Sequence, residues 1–211
     1  MNWDIVFLMS MPPTIQNSQL GIWEGNNYYL KRKILKLVGG TFHIFDPSGA
    51  EILRAEKKGF KLKEDIRIFG GPGLQQELVG IFARQVMDFS ASYDVIDSVT
   101  GNRLAVFQRK GWKSILRDEW VVLDAQEREL GQMMEDNMGL ALLRRFLSNL
   151  IPQNYDLIGL DGNRAVDLKQ NFNPFSYHLN VDFFSSPAQF DRRIGLAGAV
   201  LLAAIEGRQS G

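Results

Sequence analysis

The chain of 211 residues contains no cysteine. That absence removes disulfides, zinc ribbons, thiol nucleophiles and palmitoylation at once, and it fits a reducing compartment. Histidine is scarce as well: His43 and His178 are the only two, which leaves little for histidine-based metal centres or proton shuttles. No cofactor or metal is expected. Excess charge of one sign is also missing, because 24 Lys and Arg face 24 Asp and Glu for a formal net charge of +0. Any contact with a membrane or a nucleic acid must therefore come from a local patch, and nucleic acid is the poorer candidate for want of a broad basic footprint. The longest apolar run, Leu196 to Ile205 with Gly198 inside it, falls far short of the roughly 20 residues that a transmembrane helix needs. Met1 to Met9 carries Asp4 and no basic segment, unlike a secretory signal. The expectation is a cytoplasmic protein without a membrane span, at most peripheral at a membrane.

What is present is a globular composition, 45% hydrophobic, 11% aromatic and 23% charged. It excludes a disordered or collagenous chain and is ample for one sizeable core. Most of the sequence reads as short strands separated by turns of Asp, Gly, Ser, Asn and Pro. One pattern recurs, a strand, an Asp/Gly turn and a second strand: Phe42 to Leu53, Tyr93 to Leu104, Trp120 to Gly131 and Tyr155 to Gly162. These are predicted hairpins. Asp46, Asp97, Asp124 and Asp161 then serve first as turn formers, since an Asp side chain accepts bonds from turn amides while Gly tolerates positive φ. Further strands are predicted at 29–37, 61–69, 78–89 and 104–107. Their uneven spacing argues against a propeller, and so many strands need a closed or sandwiched antiparallel assembly to hide their edges.

Two segments break the strand pattern. Asn137 to Leu150 places Met138, Leu142, Leu143, Phe146 and Leu147 at helical spacing, which predicts a short amphipathic helix. A longer helix is predicted from a Ser186 N-cap and Pro187 through Glu206, ending at Gly207. From Ile194 to Ile205 it is apolar around its whole circumference, so protein or lipid must surround it, and a run too short for a bilayer favours protein over the membrane-dimerisation face that Gly195, Ala199 and Ala203 would otherwise suggest. Gly195, Ala197, Gly198, Ala199, Ala203 and Ala204 keep it thin enough for strands to enclose.

This order of features resembles the tubby carboxyl-terminal-like superfamily, which includes tubby domains, phospholipid scramblases and LURP-one-related proteins. The residues that carry the match are Tyr93-Asp94-Val95-Ile96-Asp97 with Gly101, Trp120 to Asp124 with Gly131, and the terminal Asp191-Arg192-Arg193-Ile194-Gly195-Leu196-Ala197. The resemblance implies an antiparallel 12-stranded barrel around a central C-terminal hydrophobic helix. It divides the chain into an N-terminal extension, 1–28, packed on or beside the barrel, and a barrel domain, 29–211. The chain lacks the cysteine-rich and proline-rich segments of scramblases, and Asn171 to His178 offers no acidic calcium-binding segment. Calcium-activated lipid scrambling is therefore not expected.

Catalytic patterns are sparse. There is no Gly-x-Ser-x-Gly elbow, and the sequence gives neither histidine a recognisable partner, so a catalytic triad would have to come from spatial neighbours. Gly70-Gly71-Pro72-Gly73 lacks the Gly-Lys-Ser/Thr ending of a phosphate loop and reads as a hairpin connection. Asp118-Glu119 and Glu135-Asp136 are adjacent acids that a strand would turn to opposite faces, unsuited to paired-carboxylate hydrolysis. Local basic segments are the stronger signal: Lys31, Arg32, Lys33 and Lys36; Lys57, Lys58, Lys61 and Lys63; and Arg109-Lys110-Gly111-Trp112-Lys113. An indole flanked by cations suits an anionic membrane interface. The candidate ligand-binding residues are therefore Arg109, Lys110, Trp112 and Lys113, in a non-catalytic protein that binds anionic phospholipid headgroups or acts as an accessory adaptor. The alternatives are a protein-interaction scaffold whose lysines only keep it soluble, and an enzyme with a carboxylate site assembled in space.

Overall fold

The computed structural model describes residues 21–33, 40–58, 65–84, 91–110, 119–136, 154–171, 176–184 and 190–206. Twelve strands follow one another: β1 (Asn27–Lys33), β2 (Gly40–Phe45), β3 (Glu51–Lys57), β4 (Asp65–Gly70), β5 (Gln76–Ala83), β6 (Ser92–Asp97), β7 (Arg103–Arg109), β8 (Glu119–Leu123), β9 (Glu129–Glu135), β10 (Asn154–Gly159), β11 (Arg164–Asn171) and β12 (Ser176–Phe183). The helix α1 (Arg192–Glu206) comes last among the described elements. Each strand pairs antiparallel with its sequence neighbour, and β1 closes the barrel against β12 from Asn27↔Asp182 to Lys33↔Ser176. Closure leaves every strand edge paired, the expected answer to so many short strands.

The alternation of side chains decides which face is inside. In β12, Tyr177, Leu179, Val181 and Phe183 are buried while His178, Asn180 and Asp182 lie on the other face. Phe42 and Ile44 of β2 are likewise fully buried between His43 and Phe45. The inner faces pack around α1, in which Leu196 to Leu201, Gly198 included, and then Leu202 to Ala204 are all buried. Its glycines show how tightly. A Cβ on Gly195 would run into the Phe183 ring, and one on Gly198 would sit 3.1 Å from Phe107. The helix is thus the core that the strands enclose. At about 1.5 Å per residue its 15 residues span roughly 22 Å. No helix among the described residues is long and apolar enough to cross a membrane.

The helix starts later than its sequence suggests. The Asp191 carboxylate accepts from the Arg193 amide at 2.8 Å and is the N-cap, so residues 190 and 191 are not helical and Ser186 cannot cap α1. The same carboxylate also accepts from the Arg193 side chain, while Ser186 and Pro187 lie outside the described residues. The amphipathic helix expected over Asn137–Leu150 lies outside the described residues, as do residues 1–20. Residues 21–26 cover the mouth of the barrel where α1 begins: Ile22 and Trp23 pack on the core, Tyr28 donates to the Ile22 carbonyl at 2.9 Å, and Arg192 donates to the Gly25 carbonyl at 3.1 Å.

Up-and-down connectivity puts alternate connections at opposite ends. At the end where α1 begins, each described turn is short. Asp46 accepts from the Ser48 and Ala50 amides, Asp97 from Val99 and Thr100, Asp124 from Gln126 and Arg128, and Asp161 from Asn163. All four are turn formers, as their spacing predicts. Gly49 and Gly101 close two of these turns at φ 84° and 74°, where a side chain would be strained. The remaining connection, a 3-10 turn at Pro72–Leu74, uses the glycine-rich run as a hairpin link. At the opposite end the strands stop at Lys33, Lys57, Ala83, Arg109, Glu135 and Asn171 and resume at Gly40, Asp65, Ser92, Glu119, Asn154 and Ser176.

Candidate functional site

The three basic segments, distant in sequence, run to the same end of the barrel. β1 finishes Lys31-Arg32-Lys33, β3 finishes at Lys57 with Lys58 next, and β7 finishes at Arg109 with Lys110 next. It is the end at which α1 presents its last carbonyls, where the helix dipole favours cations. Glu56, Asp65, Glu119, Glu135 and Asp136 are the carboxylates near the same strand ends. Trp112 and Lys113, like Lys36, Lys61 and Lys63, lie outside the described residues.

Of the four residues singled out in the sequence, Arg109 and Lys110 are described, and they do different things. Arg109 follows Ala105 and Phe107 onto the inner face, with its guanidinium 5.9 Å from the ring of buried Trp120. Trp120 in turn meets Tyr93 at 5.9 Å between ring centroids. Burial raises the Tyr93 hydroxyl above its ordinary value, and Arg109 partly offsets that. Lys110 turns the other way, reaching Glu119 Oε2 at 3.4 Å and Gln132 Oε1 at 3.0 Å. Its amide donates to the Glu119 carbonyl at 2.9 Å, so the β7–β8 connection is pinned where it leaves the barrel. On the neighbouring arc Lys58 approaches Asp65 at 3.9 Å, and Arg67 binds both Asp65 and Glu77.

Both histidines gain partners, from neighbouring strands and, for His178, also from two residues back on the same strand face. His43 meets Glu51 at 2.9 Å. His178 bridges two hydroxyls: Tyr29 lies 2.6 Å from Nδ1, and Ser176 lies 2.7 Å from Nε2. The Ser176-x-His178 spacing, which puts both side chains on one strand face, was the available signal. Burial first, and then the Lys31 ammonium, push His178 below the ordinary histidine value. A neutral imidazole is a competent acceptor, but the imidazolium formed by taking the Ser176 proton would face the Tyr29 hydroxyl and Lys31 instead of a carboxylate. That geometry joins β12 to β1 and gives little support to a nucleophile.

The carboxylates that do meet are held by cations. Asp156 stands directly opposite Asp167 across β10 and β11, with Arg164 3.3 Å from Asp156 and Lys169 2.6 Å from Asp167. Glu135 and Asp136 divide as strand geometry predicts, the first buried and the second exposed. Among the described residues no three His, Asp or Glu side chains converge as a metal-binding group.

A scan against protein-family models finds no match for this chain, and a search of curated proteins finds no relative.

Proposed function

We propose that the chain is a non-catalytic, tubby-like barrel that binds anionic lipid headgroups at the rim surrounding the carboxyl end of α1, in an accessory or adaptor role. The observation supporting this reading is the convergence of three separated basic segments on one rim. The other rim carries an Asp in four of its turns. A barrel of zero net charge whose basic segments end on one rim would meet an anionic surface with that end, each basic residue near the surface contributing about 1 kcal/mol. Lys110 is already held by Glu119, so a headgroup has to compete with that carboxylate.

Vesicle sedimentation tests the reading. Binding should require anionic lipid and should weaken as salt screens charges beyond a Debye length of about 8 Å at physiological ionic strength. Replacing Lys110 and Lys113 together with Glu should abolish association while the thermal transition stays nearly unchanged. Equal binding to neutral and anionic vesicles, or none at low salt, would overturn the proposal. The second reading, a protein-interaction scaffold, would then stand on Leu160 and Phe184. They are 65% and 40% exposed on adjoining parts of the opposite rim, with Arg164 4.8 Å from the Phe184 ring.

A further inference from the structure

Arg32 is a buried charge with little to compensate it. It belongs to the inner set of β1 with Tyr28 and Leu30 and is only 7% exposed. Its Nη1 donates to the Ala203 carbonyl at 3.3 Å, and its guanidinium lies 5.3 Å from the Phe42 ring. Its buried Nε has no acceptor. Tyr177, directly across on β12, supplies a phenol beside it, and no carboxylate among the described residues is bonded to it. Arg67, Arg84, Arg103 and Arg193, by contrast, each have a carboxylate within reach. A guanidinium cannot discharge by losing a proton, so burying one without a counter-ion carries the full desolvation penalty. The carbonyl end of α1 offers only about half a negative charge in return.

The surrounding backbone leaves room for this side chain. A Cβ on Gly40, the first residue of β2, would approach Arg32 Nε to 3.2 Å, so glycine there lets the guanidinium lie against the strand. Arg32 is one residue from the end of β1, beside the first residues of β2 and β12, so it lies at the rim and not at mid-barrel. A fork of donors at the mouth of a closed barrel, with Nε unfilled, is shaped to receive two oxygens of one anion.

We propose that Arg32 is the anchor of a site for a small free oxyanion, a phosphate or a carboxylate, that enters at this rim and completes the charge balance at the carboxyl end of α1. The site shares its rim with the lipid reading, which counts the end of β1 among its basic segments, but a dissolved anion needs no membrane, and Lys110 at the end of β7 lies on the opposite side of the ring.

The test is a titration of the full chain with inorganic phosphate and, separately, acetate, at constant ionic strength held with chloride. One of them should raise Tm saturably and give a one-site calorimetric isotherm. Arg32→Met should weaken that binding roughly 10- to 100-fold, the range for losing a hydrogen bond to a charged group. Its Tm without the anion should be no lower than that of the wild type. Arg32→Lys, which keeps the charge but loses the fork, should also bind more weakly. The Lys110→Glu, Lys113→Glu protein should keep the response, so the site and the lipid reading can fail separately. A wild-type Tm indifferent to both anions overturns the proposal whether or not the variants fold. So does a saturable shift that survives in Arg32→Met, or a response to phosphatidic acid vesicles but not to free phosphate. An Arg32→Met protein that is destabilised while the wild type ignores both anions would make Arg32 a cap for α1 and nothing more.

Discussion

The two rims of this barrel are made by the same twelve strands and built on opposite plans. Where α1 begins, the described turns are short and four of the five are capped by their own aspartates, and Asp191, Arg193 and Asp97 tie the helix start to the wall. Where α1 ends, the inner positions carry Arg32 and Arg109 beside Tyr177, Tyr93 and Trp120. The first rim spends its polar groups on itself. The second gathers the ends of three basic segments, which is why both proposals fall there. Substitutions should therefore damage folding at the first rim and binding at the second.

The largest expected effect is at Asp97. Its carboxylate accepts from the Val99 amide at 2.9 Å, the Thr100 amide at 3.2 Å and Arg193 Nη1 at 2.6 Å. Asp97→Ala removes a turn cap and leaves Arg193 with Asp191 alone, a loss of about 3 kcal/mol. Denaturant unfolding measures it. A loss below about 1 kcal/mol would mean that the first rim does not depend on its aspartates.

Next comes the helix itself. Gly195→Ala should cost about 2 kcal/mol because the new Cβ meets the buried Phe183 ring. Gly198→Ala should be near neutral: the 3.1 Å approach to Phe107 needs a small adjustment, while alanine recovers up to about 1 kcal/mol of helix propensity. Gly198→Leu should cost roughly 1 to 3 kcal/mol by overpacking. Equal stability for Gly195→Ala and the wild type would place that part of α1 away from the wall.

The barrel was more legible in the sequence than the site. Four hairpins declare themselves through Asp and Gly, because a turn needs local residues at fixed spacing. The helix declares itself through an apolar circumference that only enclosure can satisfy. β12 shows equally clean alternation in Tyr177, Leu179, Val181 and Phe183, yet it has no Asp/Gly turn before it and escaped a turn-based reading. The site was partly legible. The basic segments stand out, but a run such as Arg109-Lys110 does not say that strand pleating sends one side chain inward to Trp120 and the other to Glu119. His178 and Arg32 were hidden for a different reason: their neighbours, Tyr29 and Ala203, are supplied by barrel closure and by a helix at the far end of the chain.

A pH test separates the seam between β1 and β12 from both rims. His178 faces Tyr29 and Lys31 on β1, Ser176 on its own strand and Asn171 on β11, with His43 beyond Lys31 on β2. Burial and Lys31 lower its folded pKa below 6.5, so the unfolded chain binds the proton more readily. Stability from this residue is present above pH 6.5 and is lost as pH falls toward the lower folded value. His178→Gln, which can still bond both hydroxyls, should flatten that part of the stability profile. An unchanged slope between wild type and variant would show that the seam does not titrate there.

The smallest effect on folding, and the sharpest on the comparison, belongs to Glu119. Its contact with Lys110 is 3.4 Å between side chains that are 27% and 28% exposed, so the pair contributes no more than about 1 kcal/mol. Glu119→Gln should therefore move the thermal transition very little. If the second rim is a binding surface, Glu119 restrains it by holding a cation that a headgroup would otherwise meet. Glu119→Gln should then tighten association with anionic vesicles, Lys110→Gln should weaken it, and the double substitution should resemble Lys110→Gln, because Glu119 acts through Lys110. Tightening that persists in the double variant would mean that Glu119 repels the membrane directly. A destabilised Glu119→Gln with unchanged vesicle binding would make this pair a structural tie of the kind that secures the first rim, and the division between the two ends would fail at β7 and β8.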